Sequence, residues 1–278
     1  MNLYALSLII NSILPPSTAM EHDRIGIQID ADTDSISGIL TTMEITDEVV
    51  DECVENNLNT IITFHPLIFH KLSEIVPSER IGRLCSKLIK NNINVISVHT
   101  TFDAHPHGTS RILAELLNLN FVSTLVPDAN IQHCGMGVIA NAANPIDLKT
   151  LAQMLNSVCA ANVQYCCGKS QFAQRIAIVG GSGSDFIDYA IVQDCDAFIT
   201  ADVSYHQFHS ANGHIALFNV GHYEMEQFVG AAINNLLTLE LDKANIKHTH
   251  SKVITNPVRS FPNDYTQLQQ NILNNIII

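Results

Sequence analysis

Two segments of the chain place a carboxylate four residues after a histidine. The first segment, HTTFD, contains His99 and Asp103, and the second, HYEME, contains His222 and Glu226. A histidine and an acid at this spacing share one face if the segment is helical. An imidazole nitrogen and a carboxylate oxygen together suit a divalent cation. Two such pairs, in opposite halves of the chain, therefore predict one shared metal site.

The elements that must position these pairs are buried strands. Each pair follows an apolar run of strand length with β-branched residues, at 93–98 and at 215–220. Open α/β sheets bind their ligands beyond the carboxyl ends of such strands. An earlier apolar run in each half ends in Ile-Thr, followed closely by a possible ligand, His65 or Asp202. The repeated order predicts an α/β protein of two similar lobes with the metal site between them.

The predicted lobes divide the chain into three stretches. We place the first α/β lobe at 1–120, a short linking segment at 121–174 and the second α/β lobe at 175–278, with the two lobes forming one compact unit. The loop GGSGS at 180–184 lacks the lysine of a phosphate-binding P-loop, so a tight structural turn is the favoured interpretation.

The composition excludes several classes of protein. The chain has 278 residues, 46% of them hydrophobic, which is enough for a substantial core. Its net charge of -13 argues against nucleic acid as the main partner, because phosphate binding needs a basic surface. The low charged fraction of 15% favours a homo-oligomer whose subunits cover part of one another's surface.

The cysteines and the apolar segments indicate the compartment. Seven cysteines without a Cys-x-x-Cys spacing favour free thiols in a reducing cytosol. The apolar start at 3–14 has no basic segment before it and is followed by two prolines, so we expect a buried helix rather than a signal peptide. No run reaches the ~20 apolar residues that span a bilayer. We therefore expect a soluble cytoplasmic protein without a membrane partner.

The histidines leave two interpretations open. His65, His99 and His222 each end an apolar run, and any one of them alone is more often a hydrogen-bonded structural residue than a ligand. Taken with Asp103 and Glu226, they favour a metal site of oxygen and imidazole ligands without thiolate. Such a site suits Zn, Mn, Fe, Ni or Mg.

Several blocks of sequence resemble a known family. They are DRIGIQID, TFHPLIFHKL, SVHTTFDAHPHGTSRILAELL, GMG at 135–137, IVGGSGSDFI, AFITADVSYHQ and NVGHYEMEQ, in this order. Together they are similar to the NGG-interacting-factor-like family, whose members are also labelled GTP cyclohydrolase I type 2 homologues. The resemblance runs over nearly the whole chain.

The resemblance implies a ring-shaped homohexamer of two-lobed α/β subunits, with a two-metal site inside the ring. His65 and Asp103 would hold one cation, His222 the other, and Glu226 would bridge both, with His99 beside the site. Many members have two histidines before the proline, but here the first is Phe64, so we expect one or two cations per chain. Some members insert a further domain mid-chain, for which 121–174 is too short.

Two hypotheses of function follow. The first is a metal-dependent hydrolase acting on a nucleotide or another small phosphorylated or heterocyclic compound. A water molecule with its pKa lowered by the cation would attack, and Glu226 or His99 would move protons. The second is a metal-binding scaffold or metal-handling protein that acts through partners without turnover, which Phe64 favours slightly.

Overall fold

The computed structural model describes residues 1–260 and 265–275 of the chain, and these residues form two compact units. Unit 1 contains Met1–Phe102, Phe228–Thr255 and the described residues from Leu273 onward. Unit 2 contains Asp103–Gln227 and Asn256–Ile272. The chain thus passes from unit 1 to unit 2 directly before Asp103 and returns directly after Gln227.

A five-stranded sheet forms the centre of unit 1, in the order β1-β4-β3-β2-β11. Strands β2, β3, β4 and β11 are parallel, and β1 runs antiparallel to β4 along one edge. Every residue of β2, β3 and β4 is buried, as expected of parallel strands covered on both faces. The strands are β1 (Gly26–Ile29), β2 (Gly38–Thr42), β3 (Thr60–Thr63), β4 (Asn94–Ser97) and β11 (Lys247–His250).

The helices of unit 1 cover this sheet with apolar faces. Val49, Val50 and Cys53 of one helix and Leu84, Cys85 and Leu88 of another join the core with residues of β2, β3 and β4. The Thr46 hydroxyl caps the first of these helices by accepting a hydrogen bond from the Val49 N–H. The helices are α1 (Leu3–Ile13), α2 (Asp47–Glu55), α3 (Arg80–Lys90) and α10 (Val229–Lys243), and α4 (His99–Asp103) ends at the passage to unit 2.

A six-stranded mixed sheet forms the centre of unit 2, in the order β5-β6-β8-β9-β10-β7. Its three middle strands, β8, β9 and β10, are parallel, and β5, β6 and β7 pair antiparallel. The strands are β5 (Asn120–Pro127), β6 (Gly135–Asp147), β7 (Gln164–Cys166), β8 (Phe172–Ser182), β9 (Ala197–Ala201) and β10 (Ala216–Asn219).

Short helices connect the strands of unit 2. The helix that follows β9 begins with a capping box, in which Ser204 and Gln207 satisfy each other's backbone N–H groups. The helices are α5 (Thr109–Leu116), α6 (Leu148–Cys159), α7 (Ile187–Val192), α8 (Tyr205–Ala211) and α9 (His222–Glu226), and α11 (Thr266–Asn275) follows in the last described segment.

The compact units have different bounds from the lobes we placed at 1–120 and 175–278. Residues 228–255 complete unit 1, because β11 pairs with β2 and the Thr41 hydroxyl donates to the Gly230 carbonyl of α10 at 2.6 Å. Residues 121–174, the expected linking segment, supply β5, β6, α6 and β7 to unit 2. Beyond β10 the chain forms two separate helices, α9 and α10.

Two expectations about the whole chain can be compared with the described residues. All seven cysteines are free, as predicted. Among the residues described, none of the helices combines the length and the apolar content needed to cross a bilayer.

Candidate functional site

His65 pairs with a carboxylate from the neighbouring strand. Strands β2 and β3 are parallel with Thr42 opposite Thr63, so the residues that follow them, Glu44 and His65, lie side by side. His65 Nδ1 is 3.1 Å from Glu44 Oε2, and the Arg80 guanidinium donates to the other oxygen at 2.9 Å. Although burial opposes it, pairing with His65 and Arg80 lowers the pKa of Glu44. The Glu44 carboxylate therefore fixes the His65 ring through Nδ1.

His99 makes the same kind of pair beyond β4. Its Nδ1 lies 2.6 Å from Asp23 Oδ1, and the second carboxylate oxygen accepts the Thr100 N–H at 3.2 Å and the Thr100 hydroxyl. Burial alone would raise the pKa of Asp23, but the hydrogen bonds from His99 and Thr100 lower it to about 2. Asp23 is thus held as an anion that accepts a proton-bearing Nδ1.

Phe64 stands where the family resemblance leads us to expect a second histidine. Its side chain is fully buried. The ring centroid lies 5.0 Å from that of His65, 5.5 Å from that of His99 and 6.2 Å from that of Phe102. Phe64 therefore lies in the core of unit 1 and contacts both histidine rings, whose centroids are 5.6 Å apart.

Unit 2 repeats the histidine–carboxylate arrangement at the ends of β9 and β10. Asp202 follows β9, and its Oδ2 lies 2.6 Å from Nδ1 of His222, the first residue of α9. One helical turn later, Glu226 Oε2 lies 3.1 Å from His222 Nε2. Glu226 is only 3% exposed. The predicted pairing of His222 with Glu226 on one helical face is therefore present.

Two consecutive glycines of β8 make room for two of the predicted site residues. A Cβ atom on Gly181 would lie 2.1 Å from Glu226 Oε1. A Cβ on Gly180 would lie 2.5 Å from Cγ2 of Thr109, whose hydroxyl donates to Asp103 Oδ1 at 2.6 Å. Strand β8 continues through Ser182, so the start of the GGSGS segment is not the tight turn that we expected but a place where other side chains approach the backbone closely.

Side-chain hydrogen bonds to and from α9 and the residue after it hold this helix in place. Asn256 Nδ2 donates to Glu224 Oε1 at 3.1 Å, and Gln269 Nε2 lies 3.3 Å from the same oxygen. The buried Gln227 amide donates to the Glu224 carbonyl at 2.9 Å and to the Cys159 carbonyl at 2.7 Å. These bonds hold the single-turn helix in place, because a helix of five residues has little stability of its own.

Two further histidines follow Asp103. His105 Nδ1 accepts the His107 N–H at 3.2 Å, and the two ring centroids are 5.8 Å apart. Burial, with a contribution from His107, lowers the pKa of His105 to about 4. His105 is therefore a neutral imidazole at physiological pH.

The comparison with known families follows this geometry. A sequence model of the Duf34/NIF3 (NGG1p interacting factor 3) family matches residues 1–257. The chain belongs to the DUF34/NIF3 family. The prediction of the family from its sequence blocks is therefore confirmed.

Relatives and solved structures agree with the DUF34/NIF3 assignment. The GTP cyclohydrolase 1 type 2 homologue of Clostridium acetobutylicum is 31% identical over 221 residues, covering 78% of this chain and 82% of that protein. The crystal structure of Staphylococcus aureus protein SA1388 has a TM-score of 0.84 at 27% identity, covering 94% of this chain and 99% of that one. A Bacillus cereus protein related to NIF3 has a TM-score of 0.85 at 21% identity, with the same coverage. The predicted α/β fold is confirmed.

Sequence reasoning found the histidines of this DUF34/NIF3 protein but missed two of the three carboxylates that orient them. No spacing or strand pattern in the sequence alone singles out Glu44 or Asp23. Asp23 lies 76 residues from His99 in the chain, so spacing carried no signal of that pair. The parallel register of β2 and β3 is the signal that could have identified Glu44.

Proposed function

We propose that this protein is a metal-dependent hydrolase acting on a nucleotide or another small phosphorylated or heterocyclic compound. One observation carries the proposal. Three histidines beyond strand ends, His65, His99 and His222, each direct Nδ1 at a carboxylate. Metal-binding histidines in proteins typically show this pairing, which fixes the ring and leaves Nε2 as the nitrogen that binds the metal.

The donor set fits one or two divalent cations. His65, His222 and Glu226 are a candidate metal-binding triad of two imidazoles and a carboxylate. Nε2 of His222 and Oε2 of Glu226 are 3.1 Å apart, roughly the separation of two ligands that each lie about 2.1 Å from one cation. With Asp103 as the fourth ligand, the set contains no thiolate, and it suits Zn, Mn, Fe, Ni or Mg.

The side chains have distinct roles in the proposed reaction. A divalent cation would act as a Lewis acid and lower the pKa of a water molecule at the site. If the neutral His99 ring donates from Nδ1 to Asp23, its Nε2 would be the group that accepts a proton in the reaction. Glu44 and Asp202 would accept a hydrogen bond from Nδ1 of His65 and of His222, and in the neutral ring this leaves the lone pair on Nε2 for a cation.

Phe64 supports a second candidate, a non-catalytic metal-binding scaffold or metal-handling protein that acts through partners. Its buried ring gives the site no ligand where many relatives are expected to have one. A site with one fewer imidazole favours a single, fully ligated cation, which has no open position for a substrate.

The test combines metal analysis with turnover. We expect purified protein to contain a divalent metal, and Glu226→Gln to lose both the metal and any turnover on a panel of nucleotides and phosphoesters. His99→Ala should keep most of the metal while turnover falls about 10²–10⁴-fold, as for loss of a general base. The exposed residues Glu48 and His214 provide matched controls, Glu48→Gln and His214→Ala.

The metal content tests the site, and the turnover separates the two candidates. Full metal content in Glu226→Gln would remove Glu226 from the site. A metal-loaded wild-type protein that converts nothing in the panel would favour the scaffold over the hydrolase.

A further inference from the structure

Unit 2 contains a cavity of about 600 Å³ beside Asp103. This volume is typical of small-molecule sites, which measure about 300–1,000 Å³. Strand β5, the start of β6 and the turn between them form one side of the cavity, and α5 contributes Arg111. The residues that decide its chemistry are Asp103, Arg111, Phe121, Ser123, Thr124 and Gln132.

Two side chains that stack on each other, Arg111 and Phe121, form part of the wall. The Cζ atom of Arg111 lies 4.3 Å from the ring centroid of Phe121. The Arg111 guanidinium also donates from Nε to Glu115 Oε1 at 2.7 Å, which holds it over the ring. Planar guanidinium and phenyl groups are the surfaces on which flat unsaturated rings stack.

Neutral hydrogen-bonding residues also line the cavity. They are Ser123, Thr124 and Gln132, whose side chains carry hydroxyl and amide groups. None of these three side chains makes a hydrogen bond to another residue in 1–260 or 265–275. They offer the mixture of donors and acceptors that the edge of a heterocycle requires.

The charges make the cavity a poor phosphate site. Arg111, whose charge Glu115 already balances, is the one lysine or arginine among the described lining residues. Asp103 and Asp128 add two carboxylates to the lining, and both would repel an anion. A phosphate would therefore meet more negative than unpaired positive charge.

We propose that this cavity binds the uncharged, flat heterocyclic ring of the substrate, stacked on Arg111 and Phe121 and read by Ser123, Thr124 and Gln132. The inference rests on the proposed function, because Asp103 belongs both to the cavity and to the proposed metal site. It names the substrate class: compounds with a nucleobase-like ring rather than phosphosugars.

The test is binding of soluble probes to the whole chain, measured by calorimetry or by ligand-observed NMR. Inosine and uridine provide a heterocycle without phosphate, and ribose 5-phosphate provides phosphate without a heterocycle. Each probe is titrated into the protein as purified and after treatment with a chelator. We expect both nucleosides to bind in both preparations, and ribose 5-phosphate to bind in neither through this cavity.

Two variants locate the binding. Phe121→Ala should weaken nucleoside binding roughly five- to a hundredfold, the size of one lost stacking contact. Ser123→Phe should block the cavity and abolish binding. Phe121 is 42% exposed and Phe172, on β8 of the same unit, is 53% exposed, so Phe172→Ala is a matched control that should leave binding unchanged.

The outcomes are distinct from those that test the metal site. Nucleoside binding that survives both Phe121→Ala and Ser123→Phe, or binding of ribose 5-phosphate that these variants weaken, would overturn the inference. So would the absence of nucleoside binding to the wild-type protein. A protein that binds nucleosides in this cavity but holds no metal would refute the hydrolase and leave the ring site intact.

Discussion

Replacing Asp23 by asparagine tests the histidine–carboxylate pairing through stability alone. The Asp23 side chain is 3% exposed, and its pKa falls from the ordinary value of 3.8 to about 2 in the folded protein. A shift of nearly two pKa units corresponds to about 2 kcal/mol of stability. We therefore expect Asp23→Asn to lower the free energy of unfolding by about 2 kcal/mol at pH 7.

The pH dependence of this loss of stability is a more specific test. Because the folded pKa is lowered, this contribution is fully present above the unfolded value of 3.8 and disappears as the pH falls towards 2. The difference between wild type and Asp23→Asn, measured by urea unfolding with circular dichroism, should shrink to roughly half near pH 3. The exposed Asp34 provides the control Asp34→Asn, for which we expect no such difference. A gap between wild type and Asp23→Asn that is the same at pH 7 and pH 3 would refute the reasoning.

Three further predictions concern the site and the assembly. Phe64→His should raise the number of metal ions per chain, measured by atomic emission, because the new imidazole would replace a ring whose centroid lies 5.0 Å from that of His65. An unchanged stoichiometry would mean that the new histidine stays in the core. Gly181→Ala should lose metal, because the added Cβ would lie 2.1 Å from Glu226 Oε1. The control Gly213→Ala should keep its metal, because Gly213 also has a positive φ, +78°, but no atom lies within 4 Å of an added Cβ. Light scattering at micromolar concentration should show a homo-oligomer, a hexamer by family resemblance, and a monomer would contradict this expectation.

The helices and most strands could be predicted from the sequence because their patterns are local. The apolar runs at 93–98 and 215–220 match β4 and β10 to within one residue at each end. Strand β2, GILTT, was missed because two of its five buried residues are threonines, so its sequence shows neither a long apolar run nor alternation. The break between α9 and α10 coincides with the return of the chain to unit 1, which no local pattern records.

The candidate site was predictable to a similar degree. His222 and Glu226 pair because their spacing of four is a local property of a helix. The partners of His65 and His99 depend on which strands are neighbours and on long-range contacts. The buried position of Phe64 likewise follows from tertiary packing, since the sequence allowed either a core or a cavity orientation.

The order of synthesis has a consequence for strand β2. Strand β11, which pairs with β2, begins at Lys247. The ribosome must therefore add more than two hundred residues after Gly38–Thr42 before the strand that pairs with this edge has been made. An apolar strand with an unpaired edge is a template for aggregation. Production of chains truncated before β11 should therefore yield insoluble protein, and the growing chain is expected to depend on chaperones until residues 247–250 have emerged.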